Sequence, residues 1–355
     1  MTRLLIDQHT ITRTHTRATP HRDLVAGEAR IRIQRFALTS NNVTYAAAGF
    51  VIGYWNFFPS GVEGHGLVPV WGFADVVESQ SDVLALGQRL YGFWPLADEV
   101  VITPKALPGG EILDAAPHRQ NLPPVYNRYH VVKPRSAQDE ALQSLLQPLL
   151  ATSYLLSDWL EDNAFFDAEQ VIVGSASSKT GLGLTKFLTA RDDHRVKVIG
   201  LTSSSNAAFV EGLKSCDQVV TYDEIETLDP VPSVYVDMAG NAAVKHALHV
   251  HLGDLLKHSS AVGTSHWDKF APKKDLPGPR PQFFFAPTQI EKRRADWGPG
   301  VIDSKIGTAW REIAAQSQDW LDVKSHTGID AARHIYLDLA QGRANPRDGH
   351  VIDLA

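Results

Sequence analysis

At 355 residues, with 43% hydrophobic and 21% charged side chains, the chain has room for two ordinary domains and the composition of a globular protein with a sizeable core. Its formal net charge of −6 argues against a nucleic-acid or anionic-membrane partner, and the tight basic clusters Lys273-Lys274 and Lys292-Arg293-Arg294 read as solvated faces. The single cysteine, Cys216, rules out an internal disulfide and a cysteine-built zinc site. No apolar run reaches the roughly 18 residues of a membrane span, and no basic-then-apolar leader opens the chain, so the cytoplasm is the expected location.

From Arg30 to about Ala106 the pattern is mainly strand, with Ala29 to Phe36 alternating and later runs ending at Gly or Pro. Pro108-Gly109-Gly110 and Pro123-Pro124 punctuate a loop-rich stretch. Between Ala137 and about Asp162 the apolar spacing turns helical (Leu142, Leu145, Leu146, Leu149, then Leu155, Leu156, Trp159, Leu160), with Pro148 expected at a helix start. Strands are expected at 171–173, 196–201, 218–221, 233–236 and 260–263, and helices at 180–190, 206–213 and 242–258. Such alternation predicts a parallel, doubly wound α/β sheet. The stretch 272–280 reads as a linker. It is followed by an apolar strand at Phe283-Phe284-Phe285, two helical stretches and a last strand from Gly349 to Leu354.

The chemistry centres on Val171-Ile172-Val173-Gly174-Ser175-Ala176-Ser177-Ser178-Lys179-Thr180-Gly181-Leu182-Gly183. A strand, a small-residue turn and a helix in that order aim the N–H groups of a helix N-terminus at an anion. One reading is a dinucleotide site. The next strand runs into Thr202-Ser203-Ser204-Ser205, and hydroxyls with no acid there leave room for a 2′-phosphate, which favours NADP(H) over NAD(H). Lys179 and Tyr222 would add charge and a phenol donor. A second reading takes Ser178-Lys179-Thr180 as the end of an NTPase phosphate loop, but Val173 and Ser178 replace both of its glycines. A third takes Tyr129 and Lys133 as the pair of a short-chain dehydrogenase; there the phosphate turn precedes the Tyr, whereas here it follows. A doubly wound sheet with a ligand-free serine turn stays open beside them.

Taken in order, the segments resemble the medium-chain dehydrogenase/reductase superfamily, in particular its zinc-free quinone-oxidoreductase and enoyl-reductase branches, as an uncharacterised branch. The likeness is carried by Val68 to Glu78, by Leu86-Gly87-Gln88-Arg89-Leu90-Tyr91-Gly92-Phe93, and by Leu150-Ala151-Thr152-Ser153-Tyr154. It continues through Ala176 to Gly181, Val219-Val220-Thr221-Tyr222, Val234 to Gly240 and the closing stretch from Gly328 to Ile352. The resemblance implies a mainly β, GroES-like substrate domain over 1–150, completed by about 281–355. It also implies a Rossmann domain over 151–280 that binds NADP(H) in a cleft facing the first. It places Thr152, Ser175, Ser177, Ser178, Lys179, Thr180, Gly181, Thr202, Ser203, Ser204, Tyr222, Met238, Ala239, Gly240 and Gly263 at the cofactor. Two departures stand out. Gly72-Phe73-Ala74 occurs where zinc-dependent members carry Gly-His-Glu, and Ser178 and Lys179 replace the central turn glycines.

Without a metal, a reductase needs hydrogen-bond donors for the oxyanion that develops as hydride arrives. Asn42 and Tyr45, then Tyr54, are the candidates in the segment that faces the nicotinamide in that superfamily; each could equally be a turn amide or a rim aromatic. Trp55, Phe57, Phe58, Trp71 and Trp94 make the region aromatic, as core or as a flat apolar pocket, and Tyr126-Asn127-Arg128 could cap it. His246, His249 and His251 do not share one helix face, and Cys216 reads as a small buried residue. The expected function is metal-free hydride transfer from NADPH to an activated C=C or C=O of a small apolar or aromatic substrate (enone, quinone or acyl thioester). The alternative is a catalytically idle NADP(H) sensor. A small-molecule substrate is the expected partner, and a second copy of the chain is left open as another.

Overall fold

The computed structural model describes residues 1–191, 196–269 and 276–354. Lys273-Lys274 and the 272–275 part of the expected linker lie outside the described residues. The chain divides into two units: one of residues 1–145, 322–344 and 348–355, the other of 146–321 and 345–347.

The first unit is built on β-strands. A nine-stranded sheet takes the strands Asp322–Thr327, Asp348–Asp353, Ala29–Leu38, Pro69–Ser79, Arg89–Pro95, Arg128–Val132, Glu111–Asp114 and Pro104–Ala106 in that spatial order, with Glu99–Ile102 also paired to Ala29–Leu38. All neighbours are antiparallel except the first two. A three-stranded sheet joins Thr14–Ala18, Thr2–Asp7 and His65–Gly66. A short helix, Ser40–Ala47, follows the long strand Ala29–Leu38 and was not expected. Its Thr39-Ser40-Asn41-Asn42 start is a capping box: Asn42 Oδ1 accepts the Thr39 N–H at 2.8 Å, and Thr39 Oγ1 accepts the Asn41 N–H at 3.3 Å.

The second unit holds a six-stranded sheet, every pair parallel. In chain order its strands are Gln170–Gly174, Lys197–Thr202, Gln218–Thr221, Ser233–Asp237, Leu256–Ala261 and Gln282–Phe283. Numbered one to six along the chain, they lie in the order 3-2-1-4-5-6, the Rossmann order, whose reversal between the first and fourth strands opens a crevice at their carboxyl ends. Val171, Val173, Val198, Val234 and Val236 pack one face, with Leu155, Leu156, Leu184 and Leu188 from the flanking helices. Ile172, Ile199, Leu201 and Tyr235 pack the other against Val244 and Leu248. Burial on both faces explains why these strands read as unbroken apolar runs.

Four expectations are corrected. Pro148 lies inside a single helix, Ala137–Asp162, and does not start one. The missing N–H and ring crowding normally cost about 3 kcal/mol, and here packing of Leu145, Leu146, Leu149 and Leu150, all nearly inaccessible, outweighs it. The helix expected to reach His258 stops at Leu252, because Gly253 takes φ +50°. The residues after it form the strand Leu256–Ala261, which begins earlier than the 260–263 expected from the sequence. The Phe283-Phe284-Phe285 run gives only the short strand Gln282–Phe283; Phe285 caps the helix Ala286–Trp297. Finally, residues 281–321 fall in the Rossmann unit rather than with the first, because Phe284, Ile302 and Ile306 belong to its core and Arg293 pairs with the buried Asp158 at 2.7 Å.

Candidate active site

At the end of the first Rossmann strand, Ser175 takes φ +53° and turns the chain into the helix Lys179–Thr189. Ser178 is its N-cap, with Oγ accepting the Gly181 N–H at 3.1 Å. The Ser177 and Thr180 N–H groups have no hydrogen-bond partner among the described residues. Both lie at the N-terminal end of the helix, where its dipole is positive. A Cβ on Gly181 would lie 2.5 Å from Ser175 O, so the helix approaches the turn this closely only with glycine there. One on Gly183 would lie 2.5 Å from Leu150 Cδ2 and 2.6 Å from Ser153 Oγ. Ser153 also donates to Thr180 O at 2.7 Å, while the neighbouring Thr152 hydroxyl returns to Pro148 O at 3.1 Å. Gly181 and Gly183 are thus held as glycine by packing. The positions held by Ser178 and Lys179 carry side chains turned to capping and to the 345–347 segment, where Lys179 Nζ reaches Pro346 O at 3.4 Å.

Strand four ends beside strand one, with Asp237 paired in register to Gly174. Asp237 Oδ1 accepts the Ala239 and Gly240 N–H groups at 3.1 and 2.8 Å, and Gly240 takes φ +75°. Lys245 Nζ stands 3.6 Å from Oδ2. Burial nonetheless pushes the Asp237 carboxyl above the usual carboxylate range. Met238 and Ala239 are buried in the turn, and Gly263 N–H reaches Asp237 O at 3.3 Å from the end of the fifth strand. Tyr222 closes the group: burial pushes its phenol up to about 12, against a hydrogen bond with Ser175.

The serine loop after strand two is organised by hydroxyls. Thr202 Oγ1 and Asn206 Nδ2 donate to Ser177 Oγ at 3.3 and 3.2 Å, tying this loop to the serine turn. Ser203 and Ser205 hydroxyls meet at 3.0 Å. Ser204 Oγ donates to Asp223 Oδ2 at 3.1 Å. The loop that reads as free of acid in sequence therefore has one, delivered from the end of the third strand.

In the first unit, Tyr45, Tyr54, Phe57, Trp71, Phe93 and Tyr126 form one aromatic wall. The Tyr45 and Tyr54 rings are 4.4 Å apart, and those of Phe93 and Tyr126 are 4.8 Å apart. Trp71 Nε1 donates to Tyr45 OH at 3.2 Å, and the Tyr54 and Tyr126 hydroxyls share a hydrogen bond of 3.1 Å. Burial pushes all three phenols above their ordinary value. Asn42 is committed elsewhere: its amide caps its own helix and donates to Pro69 O at 2.8 Å. Behind the wall lies fully buried Arg119, which donates to Asp114 Oδ2 and Tyr129 OH, both at 2.7 Å, and to Tyr126 O at 3.2 Å. Its guanidinium sits 4.6 Å from the centre of the Phe58 ring.

The family model described as "Protein of unknown function (DUF2855)" matches residues 36–345. The chain belongs to this family. No curated protein matches the DUF2855 chain in sequence. Solved structures match it in fold. CurA of Vibrio vulnificus in complex with NADPH superposes with a TM-score of 0.65 at 12% identity, covering 100% of this chain and 99% of that one. The yhdH oxidoreductase of Salmonella enterica in complex with NADP gives 0.55 at 14%, covering 100% of both chains. The Etr1p complex with NADP and crotonyl-CoA gives 0.57 at 10%, covering 99% of each. The DUF2855 chain therefore shares the fold of these structures, a Rossmann unit plus a mainly β, GroES-like unit.

Several expected residues come together in this fold: Ser175, Ser177, Ser178, Thr180 and Gly181 with Thr202, Tyr222 and the Met238-Ala239-Gly240 turn. The histidines go elsewhere. His249 is buried between Pro277 O (2.8 Å) and Ser259 Oγ (3.0 Å), and His251 reaches Leu228 O at 2.9 Å. Burial pushes the Cys216 thiol up to about 11, away from nucleophilic use. Phe73 and Ala74 are fully buried strand residues. Trp55, Phe57, Phe58 and Trp94 are core, and Trp71 remains half-buried. Sequence reasoning missed Asp223, Asp114 and Arg119, which carry no local signature.

Among the described residues no helix is long and apolar enough to cross a membrane, and no group of three His, Cys, Asp or Glu side chains could hold a metal.

Proposed function

We propose that the DUF2855 chain is an NADP(H)-dependent reductase that delivers hydride to an activated C=C or C=O of a small apolar or aromatic substrate, without a metal. The observation that carries the reading is the serine turn at the topological switch of a 3-2-1-4-5-6 sheet, with two N–H donors that have no partner among the described residues and a glycine-tight helix approach. Those features fit a dinucleotide. The Ser177 and Thr180 N–H groups would take the pyrophosphate, and the Asp237–Gly240 turn would border it at the end of strand four. Bound NADPH supplies the hydride. That NADPH or NADP occupies CurA and yhdH supports the choice of cofactor.

The chain's own part in the chemistry is assigned to the aromatic wall. Tyr54 holds a proton that its raised phenol keeps at neutral pH, and it donates a hydrogen bond to the substrate oxygen as negative charge develops there. As that proton passes to the substrate oxygen, Tyr126, partly exposed and hydrogen-bonded to Tyr54, relays a proton from solvent that restores the Tyr54 phenol. Tyr45, held by Trp71, orients the Tyr54 ring.

A fluorescence titration with NADPH tests the site, and NADPH consumption against enones, quinones and aldehydes tests the reaction. Tyr54→Phe is expected to lower kcat at least a hundredfold with little change in NADPH affinity; unchanged kcat removes the assignment. The rival reading is an idle NADP(H) sensor. Tight binding with no turnover on any compound would select it.

A further inference from the structure

We infer that Asp223 is the residue that sets how far this chain prefers NADP(H) over NAD(H), and that it sets the preference low. The inference rests on the dinucleotide reading above. In a Rossmann sheet the adenosine ribose lies against the loop that follows the second strand. Here that loop is Ser203-Ser204-Ser205-Asn206, which supplies hydroxyls and an amide but no cation. The segment lying against it, Tyr222–Thr227 after the third strand, also contains no Lys or Arg and brings three acids: Asp223, Glu224 and Glu226.

The acids are not equivalent. Glu224 is folded back on its own helix start, with Oε2 accepting from Thr221 Oγ1 at 2.8 Å and from the Thr221 N–H at 3.4 Å. Asp223 instead reaches across to the serine loop, where its Oδ2 accepts the Ser204 hydroxyl at 3.1 Å. Lys179, the nearest cation in sequence to the phosphate turn, extends to Pro346 O in the 345–347 segment.

A 2′-phosphate carries about −1.5 to −2 charges at neutral pH and needs donors or cations around it. A free 2′-hydroxyl needs an acceptor, which a carboxylate supplies. Asp223 serves the hydroxyl and repels the phosphate, while the hydroxyls of Ser203, Ser204 and Ser205 serve either. Because Ser204 and Asp223 are both exposed, solvent screens the repulsion, and its expected size is about tenfold in relative affinity rather than thousands.

The test compares dissociation constants of NADPH and NADH, and of the fragments 2′,5′-ADP and 5′-AMP, for the full-length wild type, Asp223→Asn and Asp223→Glu. Asparagine keeps an acceptor for Ser204 and removes the charge. In the wild type, NADPH and NADH are expected to bind within about tenfold of each other. Asp223→Asn should shift the ratio about tenfold toward NADPH, with the same shift in the fragment pair. Asp223→Glu should leave it near the wild-type value, and the shift in Asp223→Asn should shrink at high salt. A ratio unchanged in Asp223→Asn, with both nucleotides bound, overturns the role of Asp223 and leaves the cofactor site standing. If neither nucleotide nor fragment binds any of the three proteins, the dinucleotide reading falls and this inference falls with it.

Discussion

The serine turn of the Rossmann unit and the aromatic wall of the first unit hold their polar groups by opposite means. In the turn, backbone geometry does the work: a left-handed Ser175, a capping Ser178 and a glycine-tight approach at Gly181 fix the donors, and the side chains mostly hold the loop to itself. In the wall, the backbone is ordinary strand and short helix, and position comes from a buried charge network behind the rings. A turn built from local geometry tolerates exchange of its glycines at positions that do not crowd. A wall built on one buried arginine does not tolerate loss of that arginine.

Three substitutions sharpen the contrast, from the largest effect to the smallest. Arg119→Met strands the buried Asp114 carboxylate without its guanidinium and should cost about 3–5 kcal/mol of stability in urea unfolding. It should also blur the near-ultraviolet circular dichroism of the aromatic wall, because the hold on Tyr126 O is lost. A loss under 1 kcal/mol would show that the network is not what positions the wall. Gly181→Ala pushes a methyl against Ser175 O and should cost about 1–3 kcal/mol, with NADPH affinity falling at least tenfold while the first unit keeps its aromatic signature. Wild-type affinity in that variant would mean that the helix can back away from the turn without harm. Ser178→Ala removes only the cap and should cost about 1 kcal/mol. Since it leaves the Gly181 N–H without its serine, NADPH binding should hold or tighten, and a tenfold loss would assign Ser178 a direct contact with the nucleotide.

The two regions were not equally legible in the sequence. The strand, turn and helix from Val171 to Gly183 could be placed to within a residue or two, because β-branched run, small-residue turn and apolar helix spacing are all local signals. The same local reading failed where a distant partner overrode it. Pro148 marks a helix start by propensity, yet buried leucines on both sides carry the helix through it. Asn42 looks like a free amide donor in a polar run, but a strand carbonyl 27 residues away and its own helix start take both ends. The serine loop reads as acid-free because Asp223 is 19 residues downstream of Ser204, and only the parallel pairing of strands two and three brings them together.

Sequence alone determined the fold class, the position of the serine turn, the absence of an internal disulfide and the aromatic character of the first unit, because each follows from residue type and short-range spacing. Tertiary structure decided which unit takes residues 281–321, which phenols hydrogen-bond to one another, and which carboxylate lies beside the serine loop. These are long-range pairings, set by the register of a sheet and by the burial of Arg119, Phe284 and Ile302, and no window of neighbouring residues contains them.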